Sequence, residues 1–304
     1  MRGMDYAEAR AAFFQPRSVE AVAPGTTTWT SPARDLRDAI EPIATICFWS
    51  GPAYDAYAAA GLDFLQGYVW GRGSVLGEPE PTVVASAFGV FEPGLIADLF
   101  AAGRATCGLA DVRAAKLSGA VAALRQVLGE TDVSGVVDVL RRGEAAAEPT
   151  GRALHSGLRA LPWPDEPLGQ LWHVCSLLRE HRGDGHLAAC VAAGLSGLES
   201  NLLTEIRVGW EPLAYTASRG WSPEAMQAGL DALTTRGLVA DGALTEAGNA
   251  LRDGIEEVTD RLVQPVVDAA GPALTDAVRQ LDEWAGKITA AGWFPPDPYK
   301  RASG

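Results

Sequence analysis

Between Asp35 and residue 289, apolar side chains return every three or four positions and almost nowhere in the two-residue alternation of a half-buried strand. That rhythm commits most of the chain to helices, whose apolar stripes must be buried against one another. Leu36, Ile40, Ile43 and Ile46 open the pattern, with Pro42 expected to kink or interrupt it. Further helices are predicted around 94–102, 111–128, 131–146, 168–181, 186–203, 223–236, 246–263 and 265–289. Ahead of them, a short helical candidate at Tyr6–Phe14 and the polar run Ala23–Pro32 read as an extension over residues 1–34, with Trp29 as a candidate lid. Extended signals are confined to Val83-Val84, after the turn-forming Glu78–Pro81, and to a small hairpin over Leu238–Leu244.

That hairpin has telling neighbours. Ser222 is placed to cap a helix with Pro223 at its first position and Glu224 suited to the dipole, and Met226, Leu230 and Leu233 give it one apolar face. Gly237 ends this helix, Asp241-Gly242 makes a turn, and Leu244-Thr245 leads into a second helix through Leu251, Ile255, Val258 and Leu262. Helix, tight hairpin, helix is the order of a winged helix-turn-helix, here over residues 205–263. The fold class expected is therefore all-α with a small β-wing, a degenerate winged helix-turn-helix.

A faint duplication accompanies it. Ala59-Ala-Gly-Leu62 returns as Ala192-Ala-Gly-Leu195, an offset of 133 (59 to 192), and Phe91-Glu-Pro93 is echoed by Trp221-Ser-Pro223, an offset of 130 (91 to 221). On one reading the chain is two tandem related helical units, 35–150 and 151–293, packed face to face around a cleft, with a tail at 294–304. On the other, an alanine-rich sequence produces such echoes by chance.

At 304 residues, with 47% hydrophobic and 21% charged, the chain can bury a sizeable core and fold alone. Its net charge of −13 repels phosphate backbones and anionic lipid unless positive charge is locally concentrated, and no basic run concentrates it. Apolar stretches are broken well before the roughly 18–20 residues of a membrane span, so no membrane partner is expected. Asp5, Glu8 and Arg10 disrupt the order of a signal peptide, which points to the cytoplasm. Cys47, Cys107, Cys175 and Cys190 show no CxxC spacing and read as small buried hydrophobes.

The run Leu161–Pro167, then Leu178–His186, Arg219-Gly-Trp221, Arg236-Gly-Leu238, Leu244–Gly248 and Ile255–Leu262, resembles the SalK-like, winged-helix-related proteins of high-GC bacteria. The likeness extends from about Asp35 to about Trp293. It implies a fold and a cytosolic setting, and it names no substrate.

The candidate chemistry lies where the histidines cluster: His155, His173, His181 and His186 all fall within residues 155–186. Gly183 and Gly185 can interrupt a helix there and let His181, His186 and Asp184 converge as a catalytic acid–base set. A facial metal site with Glu180 is a weaker version, because no HExxH spacing is present; no metal is assigned and the cofactor is left open. The plainer alternative makes Gly183 a helix end, Asp184 the cap of the next helix and the two histidines polar tips. A second motif, Gly67–Gly73, joins Tyr68, Trp70 and Arg72 to glycines that permit close approach and could clamp an aromatic or carboxylated ligand. Its alternative is a core helix end with Arg72 paired to an acid. Trp163, Trp172, Trp210 and Trp221 offer an aromatic wall.

The expected ligand-binding set is Tyr68, Trp70, Arg72, Trp172, His173 and Arg182, beside catalytic His181, His186 and Asp184. The expected function is a small-molecule-binding protein, in its sharper form an enzyme of specialised metabolism, acting as a monomer or homodimer. The alternative is a winged-helix transcriptional regulator. Residues 222–236 set Glu224 and Asp231 against Arg236, and the wing tip carries Asp241, so nucleic acid is expected not to be a partner.

Overall fold

The computed structural model describes residues 31–294. The helical candidate at Tyr6–Phe14, the lid Trp29 and most of the tail lie outside the described residues. In the first half run α1 (Pro32–Trp49), α2 (Gly51–Ala59), α3 (Phe64–Gly73), α4 (Pro81–Phe88), α5 (Pro93–Thr106), α6 (Leu109–Leu128), α7 (Ser134–Ala145) and the short α8 (Ala153–Arg159). In the second half follow α9 (Pro167–Ala192), α10 (Gly197–Val208), α11 (Ala214–Ala217), α12 (Pro223–Thr235), β1 (Val239–Ala240), β2 (Ala243–Leu244), α13 (Glu246–Ala270) and α14 (Leu274–Ala290).

The winged helix is present as the residues demand. Ser222 Oγ accepts the Ala225 N–H and caps α12, while Met226, Gly229 and Leu233 are its buried face. β1 and β2 pair antiparallel with Val239 opposite Leu244, and Asp241 and Gly242 between them take φ of +50° and +75°, as a two-residue hairpin turn requires. Leu202, Leu203, Leu233, Val239 and Ile255 form the core of this segment.

Tertiary packing overrides a strand, a helix interruption and a helix break that local signals suggest. Val83-Val84 lies within α4, not a strand: Pro81 starts the helix and Val84 is fully buried. Pro42 and Pro265 leave α1 and α13 continuous, because both helices are anchored in the central core by Ile40, Ile43 and Ile46 and by Val263, Val266 and Ala270. Gly183 and Gly185 do not break α9 either. The two cost about 2 kcal/mol of helix propensity, less than the burial of Leu171, Val174 and Leu178 on the same helix contributes at roughly 2 kcal/mol each.

The order of elements recurs. Gly61 (φ +83°) and Gly194 (φ +72°) turn the chain identically, with Leu62 donating to Tyr57 O and Leu195 to Cys190 O, both at 3.0 Å. A capping box follows each turn, Asp63 with Gln66 and Ser196 with Glu199. One helix later, beyond α4 and beyond α11, comes a helix with proline in its first turn, α5 after Glu92 and α12 after Ser222. What differs is the connection to the next long helix: residues 107–108 in the first half, residues 236–245 with the hairpin in the second.

The halves meet at their corresponding turns. Glu92 N donates to Arg219 O at 2.9 Å, and Val90 O accepts from Asn201 Nδ2 at 2.6 Å and from Trp221 Nε1 at 3.0 Å. A Cβ on Gly197 would sit 1.9 Å from Gly89 O, so this approach depends on glycine.

Candidate functional site

α9 is the spine of the site. Arg179, Arg182, His186 and Cys190 recur at three- and four-residue spacing, so they share one face, and that face fronts a cleft of about 270 Å³. α1 supplies Arg34, Arg37 and Glu41 to it, α13 supplies Arg252, Asp253 and Glu256, α10 supplies Asn201, Thr204 and Arg207, and Arg72 and Phe88 arrive from α3 and α4.

The wall holds seven arginines against four carboxylates in a chain of net charge −13. Each carboxylate is engaged. Glu256 takes Arg34 and Arg182 at 3.0 Å and Arg252 at 3.2 Å. Burial opposes its ionisation, yet His186 and these arginines hold it far below the usual carboxylate range. Asp253 accepts from Arg207 at 2.5 Å. Asp184 Oδ2 accepts the His155 N–H at 3.0 Å, at the start of α8, and burial raises its pKa to about 6. Glu41 pairs with Arg179 at 3.0 Å, and Arg179 also reaches Glu180, which Arg72 grips through two bonds of 3.0 and 2.9 Å. Against the penalty of burial, Arg72 and Arg179 hold Glu180 at about 2.

With Asp38, Glu180 and Asp260, which pair with these arginines from just outside the cleft, the charges balance, yet donors are left over. Arg182 Nε, Arg207 Nη1, and both Nε and Nη1 of Arg252 are buried donors with no acceptor, and Arg252 is only 5% exposed. A buried unsatisfied donor costs about 1–3 kcal/mol, more when charged, so these groups gain from any acceptor that enters. Burial lowers the Arg182 pKa and like-charge repulsion from Arg37 lowers it further, while Glu256 and Asp260 raise it.

Of the residues singled out from sequence, Arg72, Arg182, Asp184 and His186 line the cleft. Tyr68, Trp70, Trp172, His173 and His181 do not. Trp70 is fully buried, bonded to Cys107 O at 3.1 Å and set edge-on to Phe100. Trp172 bonds Ala44 O at 3.1 Å. Tyr68 packs among Phe48, Phe88 and Phe91. His173 stands edge-on to Trp163, and burial takes its pKa down to about 4. The glycines of the Gly67–Gly73 motif serve packing: a Cβ at Gly67 or Gly71 would collide with Tyr57 at 2.8 or 2.3 Å.

The predicted convergence of His181 and His186 fails because α9 is unbroken. Five residues along a helix place them about 140° apart around its axis. His181, 1% exposed, packs edge-on to His155 at 5.0 Å, and burial lowers its pKa to about 3. His186 faces the cleft, with Nδ1 3.0 Å from Thr259 Oγ1, and is likewise taken by burial to about 3. Asp184 caps α8 from outside and does not begin a new helix.

The arginines of α1, α10 and α13 escaped notice because each, alone, reads as a solvated helix face. Their spacing, Arg34 with Arg37 and Arg252 with Glu256, was the only signal. Among the described residues no group of three or more His, Cys, Asp or Glu is arranged to hold a metal ion, and no single helix is long and apolar enough to cross a membrane.

A family model described as a helix-turn-helix family matches residues 33–295. No curated protein and no solved structure matches the chain. The family match overturns the expectation that nucleic acid is not a partner. That expectation weighed the charges of one helix and one wing tip, and such a local balance cannot set a chain apart from the fold that presents a helix to the DNA groove.

Proposed function

Because the chain belongs to this helix-turn-helix family, we propose that it is a DNA-contacting regulator whose winged helix is governed by a small anion held in the cleft. The observation that carries the proposal is where the unsatisfied arginines stand. Arg207 is on α10 and Arg252 on α13, the helices on either side of α12 and its wing. α12 packs on α10 with Gly229 against Leu202 and Leu198, and the wing is clamped to α13, where a Cβ on Gly248 would lie 2.1 Å from Leu238 O. An anion that draws both guanidiniums inward therefore acts on the two supports of the reading head, and it shifts DNA affinity by its preference for one arrangement over the other.

The exposed side of α12, with Gln227 and Thr234, is the surface we assign to base edges. Binding fits the cleft better than turnover does, since Asp184 is committed to the start of α8 and His186 to Thr259. In this reading the protein works in the cytoplasm, groups with SalK-like proteins of high-GC bacteria, and takes a ligand from specialised metabolism between units 35–150 and 151–293.

The test is retention of duplex fragments from the source genome by the full chain at about 50 mM salt, where phosphate contacts are least screened. We expect a subset of fragments to be retained, and retention to change in Arg252→Gln. No retention of any fragment overturns the DNA half of the reading. Unchanged retention in the variant overturns the coupling.

A further inference from the structure

The cleft is not polar throughout. Phe88, Leu187, Val208, Trp210 and Tyr215 also line it, Trp210 and Tyr215 lie with ring centroids 4.5 Å apart, and Arg72 and Arg219 already stand over the Phe88 and Tyr215 rings at 4.8 and 4.4 Å. An inorganic anion would satisfy the guanidiniums and leave most of about 270 Å³ to water facing apolar side chains. A water takes roughly 30 Å³ and needs polar partners that such a wall does not offer.

The first half shows that the opening is specific to the second. Counting back by the recurrent offsets, His186 corresponds to Ala53 (133) and Glu256 to Gly119 (137, the offset between Leu109 and Glu246 at the starts of α6 and α13). There the helices close completely: a Cβ on Gly119 would be 2.6 Å from Ala53 Cα. In the second half the longer polar side chains of His186 and Glu256 stand at those positions and line the cleft. Burying them is costly, and packed small residues would serve the fold as well.

Resting on the anion reading above, we infer that the cleft binds an aromatic carboxylic acid, its carboxylate on Arg182, Arg207 and Arg252 and its ring on the wall of Phe88, Trp210 and Tyr215. Glu180, Asp38 and Asp260 just behind the lining already match its remaining arginines, which favours a carboxylate over a more highly charged phosphate. Guanidinium donors match carboxylate oxygens, and the rings supply stacking area without further polar demand. Sites of this size are typically apolar with a few convergent polar groups.

The experiment is calorimetric titration of the full chain with benzoate and indole-3-carboxylate, set against their carboxamides, acetate and inorganic phosphate. We expect at least one aromatic carboxylate to bind tenfold or more tightly than its carboxamide and than acetate, and to lose at least tenfold in Arg252→Gln. Should Arg252→Gln fail to fold, Arg207→Gln removes a less buried donor and carries the same expectation. Acetate or phosphate binding as tightly as the aromatic acids overturns the aromatic inference and leaves the anion reading standing. Carboxamides binding as tightly as acids show that charge is not read, which overturns the inference. Absence of binding by every anion overturns it together with the anion reading.

Discussion

Acid should unfold this protein well above the pH at which its carboxylates protonate. His173, His181 and His186 are held neutral by burial, with pKa values of about 4, 3 and 3, whereas in the unfolded chain each returns to about 6.5. A folded pKa below the unfolded one means that stability is fully present above pH 6.5 and is lost as pH falls towards the folded values. Asp184 works the other way. Its folded pKa of about 6 exceeds the unfolded value, so between about pH 4 and 6 the folded state holds a proton that the unfolded state does not. Near pH 5 the three histidines therefore favour the unfolded state by about three protons and Asp184 offsets one, leaving about two. At about 1.4 kcal/mol per proton per pH unit, unfolding free energy falls by about 3 kcal/mol for each unit below pH 6. Against a total of roughly 5–15 kcal/mol, two units of acidification consume much of the margin. Urea unfolding followed by circular dichroism at pH 7, 6 and 5 measures the slope directly. His173→Phe, which keeps an aromatic ring against Trp163, should flatten it by one proton. A slope near zero, or one unchanged in His173→Phe, would refute the argument.

Three further substitutions probe the packing. Gly197→Ala should cost about 3 kcal/mol, since overpacking against the Gly89 carbonyl adds to strain on the Asn201 and Trp221 bonds to Val90 O; equal or higher Tm than the parent would contradict this. Arg72→Ala should cost about 3–5 kcal/mol by leaving Glu180 buried with one partner, seen as a lowered denaturation midpoint in urea at pH 7. Gly286→Ala, in the exposed interior of α14 with nothing within 4 Å of the new methyl, should raise stability by about 1 kcal/mol in the same assay.

What could be read in the sequence was whatever local chemistry dictates. The Ser222-Pro223 start and the Asp241-Gly242 turn mark backbone conformations that few residues tolerate, and each is found where it was expected; the Ala59–Leu62 and Ala192–Leu195 echoes, open to two readings in the sequence, share a left-handed glycine turn. Gly183 and Gly185 misled, and Pro42 does not interrupt α1, because their local cost is small beside the burial of the helices that contain them. The site was half legible for the same reason. Arg72, Arg182, Asp184 and His186 stood out in unusual strings, whereas Arg34, Arg207, Arg252 and Glu256 are unremarkable until helices distant in the chain are laid side by side. His181 and Trp70 stood out too, yet their distinction is to fill the core.

The turn at Cys107-Gly108, too short for a hairpin, gives the molecule a direction. A symmetric pair of winged helices reads the same on either strand and asks for a palindrome. Of the two recurrent turns only the one at Gly194 leads on to a wing, so under the proposed regulator reading the chain would lie on duplex DNA with a head and a tail. Under that reading its target would be an oriented half-site, and the strand on which that site lies would decide which neighbouring gene the rest of the molecule faces.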